Sequence, residues 1–139
     1  LILYLDTSML VKLIHPEAGS DTIRAAAGQA KALASSTLAK VEVHSALARL
    51  AREGVPGEAL SRRFSAFSAL WERMARISMD RAADAAAGLC LKHPLRAPDA
   101  VHLASALLLR TEGGLEVVFG SADARLQDAA RNEGFRIVG

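Results

Sequence analysis

Fifteen of the 139 residues are acidic, and four of them stand where a carboxylate is costly. Asp6 ends the wholly apolar run Leu1–Leu5. Glu42 lies between Val41 and Val43, with Leu38 and Ala46 one helical turn away. Asp99 opens a segment whose same-face successors are Leu103 and Ala106. Asp123 follows Val117–Phe119 and precedes Leu126 in the first turn of a helix. Carboxylates brought within a few ångströms of each other repel, and some then stay protonated. A hard divalent cation reverses that balance, and Mg²⁺ or Mn²⁺ prefers such oxygen ligands. The chemistry such a set supports is phosphodiester hydrolysis, with screened phosphate charge and an activated water. Taken singly, each acid has a plainer reading. Asp6 is then a turn acid, Glu42 the edge of an apolar face, and Asp99 and Asp123 first-turn residues favoured by the helix dipole. Spacing alone does not bring the four together. The rule that ligands bind at strand ends points directly only to Asp6 and Asp123.

The elements that must position these acids alternate in type. Leu1–Leu5 reads as a strand buried on both faces, as in a parallel sheet covered by helices. Thr7 or Ser8 caps a helix from Met9 to His15. After a break at residues 16–19, Ser20 to Ala30 reads as helix and Lys31 to Ser35 as a second strand. Ser36 or Thr37 caps a helix to about Glu53, with Leu38, Val41, Ala46, Leu47 and Leu50 as its apolar stripe. Pro56-Gly57 turns the chain into a helix from Glu58 to Met74, carrying Leu60, Phe64, Phe67, Leu70 and Trp71. Arg76–Met79 is a short strand. Asp80 caps a helix to Lys92 whose small face is Ala83, Ala86, Ala87 and Cys90. Pro98 sits in the first turn of a helix from Asp99 to Arg110, and Gly113-Gly114 makes a turn. Val117–Phe119 is a strand, Ser121 caps a helix to Asn132, and residues 135–138 are the last strand. The pattern predicts one α/β domain over residues 1–139, three layers deep, with a mostly parallel central sheet of about five short strands.

Composition narrows the function further. Apolar residues make up 51% of the chain and aromatics 4%, so the core is aliphatic. The formal charge of +2 does not by itself announce a nucleic-acid binder. Arg is far commoner than Lys, which suits bidentate phosphate contact. Lys12, Arg62, Arg63 and Arg96 are candidates for contact with an RNA or DNA backbone, with a solvated helix face as the plainer reading of each. One cysteine excludes an intrachain disulfide or a cysteine zinc cluster, and a reducing cytoplasm is the expected compartment. No basic stretch leads into an apolar one in the manner of a signal peptide, and no apolar run is long enough to span a bilayer.

Other residues carry less. The histidines lack metal-ligand spacing, which argues against a zinc hydrolase. Cys90, on its Ala-rich face, reads as a buried thiol and a poor nucleophile. Gly113-Gly114 lacks the Lys-Ser/Thr of a phosphate loop. His102 reads as a structural or supporting residue that could reach a phosphate. His15 and His44 read as surface or edge residues.

Four blocks resemble the PIN-domain ribonucleases, in particular the VapC-type toxins of toxin–antitoxin pairs. They are Leu5-Asp6-Thr7-Ser8, Val41-Glu42-Val43, Ala97-Pro98-Asp99-Ala100-Val101-His102-Leu103-Ala104-Ser105-Ala106-Leu107 and Phe119-Gly120-Ser121-Ala122-Asp123-Ala124-Arg125-Leu126. The resemblance runs through nearly the whole chain, in order. It implies that Asp6, Glu42, Asp99 and Asp123 bind Mg²⁺ or Mn²⁺, with Ser121 as the hydroxyl supporting the last acid. The family more often has Thr where this chain has Gly120-Ser121. It also implies metal-dependent endonucleolytic cleavage of RNA, a protein antitoxin lying in a groove, and a homodimer. The aromatic face Phe64, Phe67 and Trp71 is a candidate for contacting such a partner, against a core role that suits aromatics better.

Three other functions stay in play. One is a non-catalytic interaction module built on the same scaffold, which would be expected to have lost some of the acids. Another is a phosphatase with Asp6 as covalent nucleophile, although Asp6-Thr7-Ser8 lacks the second Asp two residues on. A DNA flap nuclease would need extra DNA-binding segments for which the chain has no room.

Overall fold

The alternation of strand and helix signals becomes a single twisted sheet between two helical layers. The computed structural model describes residues 1–139. The strands are β1 (Ile2–Leu5), β2 (Ala32–Ser36), β3 (Ala75–Ile77), β4 (Val117–Gly120) and β5 (Arg136–Val138). All neighbouring pairs are parallel, in the order β3-β2-β1-β4-β5. The helices are α1 (Thr7–Ile14), α2 (Ser20–Gln29), α3 (Leu38–Arg52), α4 (Gly57–Glu72), α5 (Met79–Lys92), α6 (Ala97–Gly113) and α7 (Ala124–Asn132).

Period-two alternation splits each central strand between the two cores. Leu3, Leu5 and Val118 pack with Met9, Leu10, Val43, Leu47, Phe67 and Trp71 from α1, α3 and α4. Tyr4, Ala34, Val117 and Phe119 face the opposite way, onto Ala82, Ala86, Leu103, Ala106 and Leu126 from α5, α6 and α7. This covering of both faces explains why β1 reads as an unbroken apolar run. Leu5 is fully buried, so Leu5→Ala would cost about 2–5 kcal/mol. Phe67 and Trp71 belong to this core, at 2% and 8% exposure, which leaves only the edge of the aromatic face of α4 to solvent.

The order of the strands reverses at β1. From β1 the chain crosses to β2 on one side, and β4 later joins on the other. Such a switch point opens a crevice at the carboxyl ends of the two strands. Helices that return antiparallel to the strands bring their N-terminal turns to the same edge.

Several local expectations are corrected. Asp6 itself, not Thr7 or Ser8, caps α1, so the helix begins at Thr7. Ser78 caps α5, its Oγ accepting from the Asp80 N–H at 3.2 Å, and Asp80 falls in the first turn. Asp123, not Ser121, caps α7. α6 continues through Gly113 and ends on Gly114, whose φ of 61° suits a residue without Cβ. Val41 points outward at 65% exposure, and Ala39, Val43 and Leu47 form the buried stripe of α3. Cys90 is exposed rather than buried, because α5 packs through Ala82, Ala86 and Leu89. On α5 the phase is off by about one residue, which rotates the face by roughly 100°, whereas on α3 Leu47 is buried and Leu38, Ala46 and Leu50 are half-buried as expected, leaving Val41 as the exception.

Candidate active site

Asp6 leaves β1 at the crevice and is 5% exposed. Its Oδ1 accepts from Ser8 Oγ at 2.5 Å and from the Met9 N–H at 3.1 Å. Its Oδ2 accepts from Ser121 Oγ at 2.5 Å. A carboxylate offers about four lone-pair sites, so one on Oδ2 remains unused. Ser121 follows β4, is fully buried, and also accepts the Asp123 N–H at 3.1 Å. Gly120, beside it, is a place of close approach. A Cβ there would come within 3.0 Å of Leu5 Cδ2 and 3.2 Å of the Tyr4 carbonyl oxygen.

Glu42 lies in the second turn of α3. Its Oε1 accepts from Thr7 Oγ1 at 2.7 Å and from His102 Nε2 at 2.7 Å. Burial pushes this carboxyl up. The hydrogen bonds from His102 and Thr7, together with nearby positive charge that includes Arg96, hold it below its ordinary value of 4.5.

Asp99 behaves in the opposite way. Burial raises its carboxyl above the ordinary 3.8, the nearby Arg96 charge opposes this, and the Asp123 charge adds to it. Arg96 Nε donates to Asp99 Oδ2 at a long 3.4 Å. Asp123 Oδ1 accepts the Leu126 N–H at 2.9 Å as the cap of α7.

Two cavities meet at Arg96. One, of about 470 Å³, extends from Thr7, Ser8 and Glu42 to Lys12, His15 and Arg49. The other, of about 430 Å³, holds Asp99 and Asp123 with Arg125. Arg96 lines both. The acids therefore gather at one edge of the sheet, Asp6 and Glu42 each held by a hydroxyl from the first turn of α1, and Asp99 within the field of the Asp123 charge. No three Asp, Glu, His or Cys side chains lie within shared reach of a single ion. Each carboxylate has its own donors: Ser8 and Ser121 for Asp6, Thr7 and His102 for Glu42, Arg96 for Asp99 and the Leu126 N–H for Asp123. The donor set itself is all oxygen, which fits a hard divalent cation and not a soft one.

Of the proposed phosphate contacts, Lys12 and Arg96 line the first cavity. Lys12 is partly engaged, donating to Glu17 at 3.2 Å and to the Ala18 carbonyl at 2.7 Å. Arg63 reaches His15 Nδ1 at 3.3 Å, while Arg62 is exposed on α4 away from both cavities.

The PIN domain family model matches residues 3–132. The chain belongs to the PIN-domain family. Ribonuclease VapC45 of Mycobacterium tuberculosis (strain CDC 1551 / Oshkosh) is 35% identical over 139 residues, covering 99% of this chain and 94% of that protein. Two solved structures share the PIN fold with this chain. FitAcB from Neisseria gonorrhoeae superposes with a TM-score of 0.66 at 13% identity, covering 99% of this chain and 96% of that one. VapBC2 from Rickettsia felis, bound to a DNA fragment from its promoter, gives 0.63 at 12% identity, covering 99% and 97%.

Three polar residues of this PIN domain have partners that sequence reasoning missed. Thr7 and Ser8 were expected as helix caps, yet Thr7 holds Glu42 and Ser8 holds Asp6. Tyr4 was read only as part of an apolar strand, yet its hydroxyl meets His102 Nδ1 at 2.9 Å. A signal existed, because a lone buried Tyr in such a strand needs a partner for its hydroxyl.

Proposed function

We propose that this PIN-domain chain is a metal-dependent endoribonuclease and the toxin of a VapBC-type toxin–antitoxin pair. One observation carries the reading: 35% identity to a VapC ribonuclease over 99% of the chain, in a chain whose own out-of-place carboxylates gather at one sheet edge. Asp6, Glu42, Asp99 and Asp123 would hold Mg²⁺ or Mn²⁺. Such an ion, when bound, screens the phosphate and lowers the pKa of a water.

The remaining work falls to the chain's own residues. Ser8 and Ser121 keep Asp6 still, and Thr7 does the same for Glu42. Arg96 offers an exposed guanidinium beside Asp99, suited to a phosphate oxygen of the RNA. The partners are an RNA strand, a small protein antitoxin and a second copy of the chain. The likeness in fold to VapBC2, solved on a DNA fragment from its promoter, supports the antitoxin. The cytoplasm is the compartment that suits these partners and the single thiol. No helix is long and apolar enough to cross a membrane.

Cleavage of an RNA panel by the purified chain tests the reading. Product should form with Mn²⁺ or Mg²⁺, stop with EDTA, and disappear in Asp99→Asn while that variant melts cooperatively. Undiminished cleavage in EDTA, or by Asp99→Asn, would overturn it. A folded chain that captures a protein partner but neither cleaves RNA nor binds metal would be an interaction module.

A further inference from the structure

Behind Glu42, a buried polar chain crosses from the other face of β1. Tyr4 is fully buried, its ring stacked on Phe119 with centroids 5.4 Å apart and planes 7° apart. Its hydroxyl lies 2.9 Å from His102 Nδ1. His102 is 2% exposed, and its Nε2 lies 2.7 Å from Glu42 Oε1 and 3.3 Å from Thr7 Oγ1. Both ring nitrogens are thus spent on side chains, of which Glu42 and Thr7 line the first cavity.

We infer that Tyr4 and His102 are positioning residues, which together hold Glu42 Oε1 and leave Oε2 free to act in the site. The inference rests on the metal-nuclease reading and extends it inward by two residues. An ionised Glu42 can only accept, so Nε2 must carry a proton. In the neutral ring Nδ1 is then an acceptor, and only a donor can satisfy it. The Tyr4 hydroxyl is that donor. A phenol hydroxyl carries one proton to donate, and the 2.9 Å contact directs it to Nδ1. Its rigid placement against Phe119 fixes the ring orientation of His102, and the ring in turn fixes Oε1. A histidine serving the core alone would not need a partner at the mouth of a cavity. Supporting residues of this kind usually change metal affinity or activity by about 10- to 100-fold when removed.

The test uses the full chain and three substitutions, Tyr4→Phe, His102→Ala and His102→Gln. Tyr4→Phe keeps the stacked ring and removes one hydroxyl. His102→Gln keeps an amide donor near the position of Nε2. Binding of Mn²⁺, followed by calorimetry, should weaken by about 10-fold or more in Tyr4→Phe and His102→Ala. In RNA cleavage kcat should fall with little change in KM, and His102→Gln should recover much of both losses. Nitrogen-15 NMR of the metal-free chain should find the His102 proton on Nε2, and Tyr4→Phe should mix the tautomers. Folded Tyr4→Phe with unchanged Mn²⁺ affinity and kcat would overturn the inference. So would His102→Gln as impaired as His102→Ala, or a proton on Nδ1 in the unaltered chain. Failure of the unaltered chain to bind Mn²⁺ would instead overturn the nuclease reading. The NMR result would then decide by itself whether Tyr4 governs His102.

Discussion

Ser121 Oγ donates to Asp6 Oδ2 at 2.5 Å across 115 positions of sequence. The bond joins the loop after β1 to the loop after β4, at the point where the strand order reverses. One hydroxyl also accepts the Asp123 N–H. Ser121 therefore connects the first and last candidate acids, through the side chain of one and the backbone of the other. The resemblance suggested support for Asp123 alone.

Ser121→Ala should therefore do more than remove one hydrogen bond. It leaves a buried carboxylate one donor short and a backbone N–H at the start of α7 unpaired. Hydrogen bonds to charged groups contribute about 1.5–3 kcal/mol. For a chain of this size that lowers Tm by several degrees, by roughly 2–4 °C per kcal/mol. Scanning calorimetry measures the loss, and RNA cleavage should fall with it. An unchanged Tm would show that the bond contributes nothing to the folded state.

Glu42 and Asp99 should move stability in opposite directions when neutralised. Glu42 is held below its ordinary value, with burial overcome by His102, Thr7 and nearby positive charge. Its contribution is present above the unfolded value and is lost as pH falls through the lower folded value. Asp99 is raised, chiefly by burial. Its charged form opposes folding above the raised folded value, and that cost vanishes below the unfolded one. At pH 7, Glu42→Gln should lower stability by about 1 kcal/mol, the net scale of one hydrogen bond. Asp99→Asn should leave Tm unchanged or raise it while abolishing cleavage. Both differences should shrink as thermal melts are taken towards pH 3.

The fold was legible because its signals were redundant. An all-apolar strand, Pro98 in a first turn, and the Gly113-Gly114 turn before a strand each pointed to the same alternation. Helix phase was less legible. Ala, Val and Cys on α3 and α5 give a shallow apolar contrast, so Val41 and Cys90 were assigned to the wrong face. At the candidate site, the four acids stood out as carboxylates among apolar neighbours. Their hydrogen-bond partners did not, because Thr7, Ser8 and Ser121 satisfy the local cap signature equally well. Only the distance from Thr7 to Glu42, or from Ser121 to Asp6, separates a cap from a brace for a distant acid.

Glu133 offers a comparison away from the candidate site. Its Oε2 accepts from Lys92 Nζ and His93 Nε2, each at 2.7 Å, tying the end of α7 to the end of α5. Lys92 first, then His93, holds its carboxyl below the ordinary range. The resulting stability is present above the unfolded value and lost as pH falls through the folded one. Glu133→Gln should cost up to about 1 kcal/mol at pH 7. RNA cleavage measured well below Tm should be unchanged. A large loss of kcat in this variant would mean that the α5–α7 contact reaches the site.

Arg96 is the residue on which the proposed RNA contact and the ionisation of Asp99 meet. Its side chain is 78% exposed, so it contributes little to the fold, and it lines both cavities. Its charge also lowers the Asp99 carboxyl against the effect of burial. Arg96→Ala should therefore produce two separable changes. KM for RNA should rise, and the salt dependence of binding should flatten by about 0.7 in log–log slope if one single-strand phosphate contact is lost. The acid limb of the pH–rate profile should also shift upward, because Asp99 loses the cation that favours its ionised form. Arg96→Lys should restore the pH limb more fully than KM, since it keeps the charge but not the two-pronged phosphate contact. A flattened salt slope with an unmoved acid limb would assign Arg96 to the RNA alone. A moved limb with an unchanged slope would assign it to Asp99.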